Sequence, residues 1–325
     1  MSSLSGASLS SSKAGLFGRL SNWLDAMPHP ASVCEIAGDH VYAARWSGTG
    51  GLDSAGAEPL EPGIVRPSPV DSNVVNGEEL RATVRRVLDR AGIRGQVMAL
   101  LVPDPAVRVF ILPFENLPRR SEEYLPLLRW RLKKSVPFDV EDTVISSTRQ
   151  TGRGGNLEVI AAVARKSIIR EYEEALESMD CVPGVVLSST FACLPLLDES
   201  TGAMLVRVAG SNLTTAIVRG SNLCVYRSTE MAGADPALFD ARSILDEIFP
   251  AVAYYQDTWG GELDRVLVAG FGEREEVIRT AIADELHATA LPLADGETAR
   301  ALPSEARDLI TRGGEALVGW MANAK

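Results

Sequence analysis

A pattern that occurs twice constrains this chain more than any single motif in it. In the second half, three short β-type runs, Met204–Val208, Thr215–Val218 and Leu223–Arg227, follow one another. The tight turns Ala-Gly-Ser-Asn and Arg-Gly-Ser-Asn join them. A long helical pattern over Asp240–Thr258 comes next, then a strand at Arg265–Ala269 and a helix over Arg274–Leu286. The first half opens the same way. Val33–Ile36 and Val41–Trp46 flank Ala-Gly-Asp-His, a hairpin signal. A helix over Glu78–Ala91, with Leu80, Val84, Val87 and Leu88 on one face, leads to a strand at Val97–Val102. A meander followed by helix, strand and helix, repeated, predicts two α/β halves built on one plan.

The remaining elements fit around this plan. Residues 47–77 are rich in Gly, Pro, Ser and Asp and read as a long connection holding one short strand at Ile64–Val65. Strands are predicted at Val107–Leu112, Thr143–Gln150, Leu157–Ala164 and Val185–Leu187, and a helix over Lys166–Met179. Ser121 reads as the N-cap of a helix that begins Glu122-Glu123, has Pro126 near its first turn, and ends in Arg129, Arg131, Lys133 and Lys134. Acid first and base last suits the helix dipole. That basic end is either a solvated helix terminus or a surface for an acidic partner. A closing helix spans Leu302–Met321 with Gly313–Gly314 inside it. The expected fold is α/β and actin-like, a duplicated ribonuclease-H-like pair with an inserted small α/β subdomain. The halves are residues 31–200 and 201–325, with the insertion at about 78–165 in the first and a tail over 1–30 before both.

Composition removes several classes of function. A net charge of −11 opposes phosphate backbones, so nucleic acid is not an expected partner. No apolar run reaches the ~18 to 20 residues that span a bilayer. Cys34, Cys181, Cys193 and Cys224 are too scattered for a metal or redox motif and read as small buried apolar residues, as in a reducing cytoplasm. His29, His40 and His287 have no ligand spacing. No GxGxxG, P-loop, GxSxG or HExxH occurs. Glu122–Glu123, Glu173–Glu174 and Glu275–Glu276 fall on helices as solvated acidic faces. Near the N-terminus, residues 1–14 are Ser-rich and expected to be disordered. In "GLFGRLSNWLDAM", Leu16, Phe17, Leu20, Trp23, Leu24 and Met27 fall on one helical face, a handle for its own domain, a partner or a membrane surface.

One segment carries a resemblance. "LPRRSEEYLPLLRWRLKKSVPFDVEDTVIS", residues 117–146, resembles the PilM proteins of type IV pilus assembly, relatives of the divisome protein FtsA. "LEPGIV", "EVIAAVARKSIIREYEEALESM" and "VLVAGFGE" fit the same pattern in order, over roughly residues 31–320. The resemblance implies a cytoplasmic scaffold at the inner face of the inner membrane. Such a scaffold binds the cytoplasmic tail of a PilN-like inner-membrane protein, with pilus motor ATPases as further partners. Membrane association would run through partners or the Leu16–Met27 helix. Leu117, Trp130, Pro137 and Phe138 would shape the groove for the tail, and Pro137 would stop the preceding helix at Val136. The alternatives are an active ATP-binding actin-superfamily protein, or a cytoplasmic component of a type II secretion system.

The resemblance also locates a nucleotide cleft: Glu35 and Gly38 in the first phosphate turn, Gly210 and Asn212 in the second, Gly270 and Gly272 in the adenosine turn. Here the pattern is eroded. Glu35 stands for the expected Asp, Ala37 for Gly, and a residue near Tyr42 for Lys. Arg207 replaces the second Asp, and Ala209 the second Gly. Pro250–Ala251 replaces polar side chains on the long helix, which Pro250 would kink. Phosphate turns need small residues, so that backbone N–H groups can reach the oxygens, and carboxylates that hold magnesium through water. An Arg inverts that charge. The expected state is a degenerate site with no catalytic residue and no metal ligand, binding ATP and magnesium weakly if at all.

Overall fold

The computed structural model describes residues 29–47, 51–118, 120–197, 202–231 and 240–323. The expectations for residues 1–14 and for the Leu16–Met27 helix lie outside these. The first sheet contains β1 (Ser32–Ile36), β2 (His40–Trp46), β3 (Leu52–Pro59), β4 (Val97–Val102) and β8 (Val182–Ser188), in the order β3-β2-β1-β4-β8. β1, β2 and β3 form an antiparallel meander, and β4 and β8 run parallel to β1. The second sheet repeats the order with β9 (Ala203–Ala209), β10 (Asn212–Arg219), β11 (Asn222–Glu230), β12 (Arg265–Ala269) and β13 (Thr289–Pro292). There the meander is β9 to β11, and β12 and β13 are the parallel strands. Two sheets of identical topology are the actin-like duplication predicted from the repeat.

Between β4 and β8 the chain leaves the first sheet to build a third one. β5 (Arg108–Phe114), β6 (Thr143–Thr151) and β7 (Leu157–Arg165) pair antiparallel in the order β5-β7-β6. Helix α1 (Gly77–Arg90), placed at the start of the insertion by sequence, packs on the first sheet instead. Its Leu80, Val84, Val87 and Leu88 share a core with Ile36, Val41 and Leu100. The insertion therefore begins at β5.

Helix α2 (Ser121–Leu132) lies on the inserted sheet, burying Leu128 and Leu132 against Val159, Ala161 and Val163. Three local readings of this helix change. It starts at Ser121 itself, with Arg120 in the cap position. Pro126 lies inside the helix rather than in its first turn, where it leaves the Glu122 carbonyl without a helical donor. The regular helix ends at Leu132, before Pro137, and the N–H groups of Ser135 and Val136 both close on the Leu132 carbonyl. The insertion also reaches the second sheet. Buried Gln150 on β6 donates from Nε2 to the Leu223 carbonyl at 2.9 Å and accepts from the Leu223 N–H at 3.0 Å.

Helix α3 (Lys166–Glu177) covers the first sheet beside α1. A short α4 (Ser189–Cys193) follows β8. On the second sheet, α5 (Ala241–Trp259) runs through Pro250 as one helix, and α6 (Glu275–Leu286) lies beside it. The predicted closing helix is broken. A separate short α7 (Glu297–Arg300) precedes it, and its span holds α8 (Ser304–Leu309), a π-helical turn at Ile310–Gly314 with Gly313 at φ 87°, and α9 (Glu315–Ala322). α9 returns to α4 at close range: a Cβ on Gly319 would sit 2.2 Å from the Ala192 carbonyl oxygen. Phe191, Leu317 and Trp320 fill a core that joins the inner faces of both sheets. All four cysteines are free and buried.

β3 and β13 were not predicted. β3, Leu-Asp-Ser-Ala-Gly-Ala-Glu-Pro, is an edge strand alternating between half-buried and exposed, with no β-branched residue. Its ladder to β2 holds it, not its own propensity.

Candidate functional site

The two meander turns face each other across a cleft, and the turn after β12 closes its third side. A cavity of about 550 Å³ there is lined by Glu35, Gly210, Gly270, Gly272, Arg312 and Glu315, among others. A second, of about 470 Å³, lies on the other side of the turns and involves Glu35, Gly38, Asp104, Gly210 and Asn212. Of the six residues that the resemblance assigns to nucleotide, Gly270 and Gly272 line the first cavity, Gly38 and Asn212 the second, and Glu35 and Gly210 both. Gly270 has a specific reason to be Gly. A Cβ there would overlap the Val208 carbonyl oxygen at 1.9 Å, and φ is 84°.

Arg207 on β9 fixes the chemistry at the base of the cleft. Its side chain is buried among three carboxylates. Nη2 donates to Glu35 Oε1 at 3.0 Å, and Nε to Glu315 Oε1 at 2.7 Å. Nη1 faces Asp104 Oδ2 at 3.9 Å and Thr190 Oγ1 at 3.4 Å. None of Glu35, Asp104, Arg207 and Glu315 is more than 4% exposed. Charges this deep persist only when paired and hydrogen-bonded.

Asp104 is itself saturated. It accepts from the Thr190 N–H at 2.9 Å, the Thr190 hydroxyl, the Thr214 hydroxyl at 2.9 Å and the Tyr226 hydroxyl at 2.9 Å. Glu35, Asp104 and Thr190 belong to the first half. Arg207, Thr214 and Tyr226 stand on the second sheet, and Glu315 begins α9. The network therefore ties the lobes together at the floor of the cleft.

Three carboxylates around one guanidinium leave an excess of negative charge. Burial opposes the Arg207 charge, but Glu315 and Glu35 outweigh it and hold its pKa well above the ordinary value. Burial also pushes the Glu35 carboxyl up to about 7; Glu315 adds to the shift and Arg207 opposes it. Tyr42, near the position of the expected Lys, is raised by burial and by the same carboxylates. It lies against Gly313, where a Cβ would come within 2.6 Å of its hydroxyl.

The carboxylates that would take a cation already surround a permanent one supplied by the chain. No group of three or more His, Cys, Asp or Glu able to hold a metal occurs among the described residues. Sequence reasoning found Arg207 and its inverted charge but missed Asp104, Thr190, Thr214 and Glu315. The only signal for Asp104 was its place between Pro103 and Pro105. Glu315 stood in what read as an unbroken helix.

The four residues that the resemblance assigns to tail binding all lie on or beside the inserted sheet and its helix. Leu117 and Phe138 are half-buried against the insertion's core, whereas Trp130 is 76% exposed and Pro137 is exposed. Phe110, Leu112 and Phe114 on β5, an edge strand of the inserted sheet, are half-buried with Leu117 and Phe138.

No protein-family model matches the sequence, and no curated protein matches it. Among solved structures, a chain of a PilM–PilN type IV pilus biogenesis complex matches 92% of this chain and 100% of its own length, with a TM-score of 0.73 and 18% identity. A Bacteroides thetaiotaomicron protein with an actin-like ATPase fold and unknown function matches 85% of this chain and 96% of its own length, at TM-score 0.47 and 10% identity. The cytoplasmic domain of EpsL, an inner membrane component of the type II secretion system of Vibrio cholerae, matches 73% of this chain and 80% of its own length, at TM-score 0.44 and 12% identity. The last two scores are too low to carry an argument. The first, with the duplicated sheet order, establishes the fold as actin-like and similar to that of the pilus complex.

Proposed function

We propose that this actin-like chain is a non-catalytic scaffold of a type IV pilus assembly machine. In this reading it works at the cytoplasmic face of the inner membrane and grips the cytoplasmic tail of a PilN-like protein. Residues 31–200 and 201–325 serve as the two halves. The observation that carries the non-catalytic part is Arg207, locked among Glu35, Asp104 and Glu315 where a nucleotide's cation would have to enter. The full-length likeness to a chain of the PilM–PilN complex supports the partner class.

The half-buried apolar row Phe110, Leu112, Phe114, Leu117 and Phe138 supplies a surface for an extended segment along the β5 edge. An extended tail loses conformational freedom on binding, so a preformed apolar strip suits it. Pilus motor ATPases are the further partners in this reading.

Calorimetry of the full chain against a synthetic peptide of the PilN-like tail from the same cell tests it. Binding should saturate and disappear when the tail's apolar residues are replaced by Asp. Equal binding of the replaced peptide, or no binding of the native one, overturns the reading.

A further inference from the structure

Helix α2 has an outer face that the scaffold reading does not use. Leu128 and Leu132 point into the insertion and are fully buried. On the other side, Leu127 is 46% and Trp130 76% exposed; Pro126, Arg131, Lys133, Lys134 and Pro137 are also exposed. Positions 126/127, 130 and 133/134 recur at helical spacing and so share a stripe. From Pro126 to Pro137 there are four basic residues and no acidic one, in a chain whose net charge is −11; Glu122 and Glu123 lie at the other end of the helix, and Asp139, Glu141 and Asp142 follow Pro137. Arg129 is turned inward, donating to the Val140 carbonyl at 3.0 Å, and Arg131 lies over the Phe114 ring at 4.9 Å. Lys133 and Lys134 extend the stripe beyond Trp130.

We propose that this stripe docks on an anionic lipid surface, with Trp130 and Leu127 at the headgroup level and Lys133 and Lys134 facing the acidic headgroups. Three observations favour lipid over a protein partner. Trp130 stands on the outside of a helix, 76% exposed, rather than in a groove between elements. An aromatic ring beside lysines matches the layered polarity of a membrane interface, apolar below and charged above. The basic end of the helix, Arg131, Lys133 and Lys134, is opposite in sign to the net charge of the chain, so an acidic membrane attracts this end and repels the chain as a whole, which favours one orientation. Such a contact would turn the insertion toward the membrane independently of any tail.

Flotation of the full chain with vesicles tests this, comparing phosphatidylcholine alone with phosphatidylcholine containing phosphatidylglycerol. The wild type should bind only the acidic vesicles. K133E/K134E should weaken binding more than about tenfold, since each basic residue near an acidic surface contributes roughly fivefold. W130A should weaken it as well and remove the vesicle-induced blue shift of tryptophan emission. These side chains are exposed, so the variants should unfold at the wild-type temperature.

Absence of wild-type binding, or equal binding to neutral vesicles, overturns the proposal. Unchanged binding of the variants overturns it too and moves the contact to another segment, such as Leu16–Met27. If K133E/K134E leaves flotation unchanged but abolishes binding of the PilN-like tail peptide, the face belongs to a protein partner instead.

Discussion

Replacing Arg207 by Met keeps an unbranched apolar stem and removes the guanidinium and its charge. In the wild type the guanidinium makes hydrogen bonds of 3.0 Å to Glu35 and 2.7 Å to Glu315, with Asp104 at 3.9 Å. The substitution leaves Glu35 and Glu315 buried beside each other without a cation. Breaking one side of a buried ion pair costs about 3–5 kcal/mol, and the exposed value of such pairs, about 0–1 kcal/mol, does not apply at this burial. Part of the loss will be relieved by protonation, because the Glu35 pKa is already raised. A net loss of about 3 kcal/mol corresponds to roughly 6–12 °C in the melting temperature at the scaling of large domains.

Urea denaturation and calorimetry measure this loss directly. The stronger test is a cycle with E315Q. Neutralising Glu315 should destabilise the wild type but stabilise R207M, because the repulsion it relieves exists only without the guanidinium. The coupling should exceed about 1.5 kcal/mol. If R207M lies within about 1 kcal/mol of the wild type, or if E315Q costs the same in both backgrounds, the network is not the tie between lobes that its geometry implies.

Other outcomes follow from the same structure. Glu35 holds its proton in the folded chain up to about pH 7 but releases it near 4.5 when unfolded, so its contribution to stability falls as pH rises between those values. The stability of the wild type relative to E35Q should decline across that window, by at most about 1.4 kcal/mol per pH unit, as measured by urea titrations at stepped pH. Gly319→Val drives a side chain into the Ala192 carbonyl and should cost about 1–3 kcal/mol in thermal melts by separating α9 from α4. Leu128→Ala should loosen the insertion by about 2–5 kcal/mol, read as faster hydrogen exchange in β5, β6 and β7 with the two main sheets unchanged. Gln150→Ala leaves the Leu223 backbone unpaired and should cost about 1–3 kcal/mol, with exchange rising first at Leu223.

The duplication was legible because its strands carry their own signals. Val, Ile and Leu runs bounded by Gly-Asp and Gly-Ser-Asn turns specify meanders locally, and the central parallel strands are apolar, β4 throughout and β12 after Arg265. β3 and β13 were invisible for the opposite reason. β3 lacks β-branched residues and β13 is only four residues long and ends in Pro292, so the neighbouring strand sets their geometry. The broken closing helix was lost because Ile310–Gly314 keeps helical polarity in sequence while Gly313 reverses the backbone.

At the site, the charge inversion at Arg207 was plain in the sequence, but its consequence was not. Read alone, it implied a cleft of the wrong charge. In the fold, Asp104 and Glu315, more than a hundred residues away on either side, neutralise it and turn the mismatch into a tie. Pairings across such separations leave no periodicity to read.

Isothermal titration of the full chain with Mg-ATP is the most direct measurement of whether Arg207 has taken the cation's place. With the guanidinium locked among its carboxylates, no saturable heat and no phosphate release should appear at millimolar nucleotide. Saturable micromolar binding with turnover, lost in E35A, would contradict the account and make the cleft a working nucleotide site.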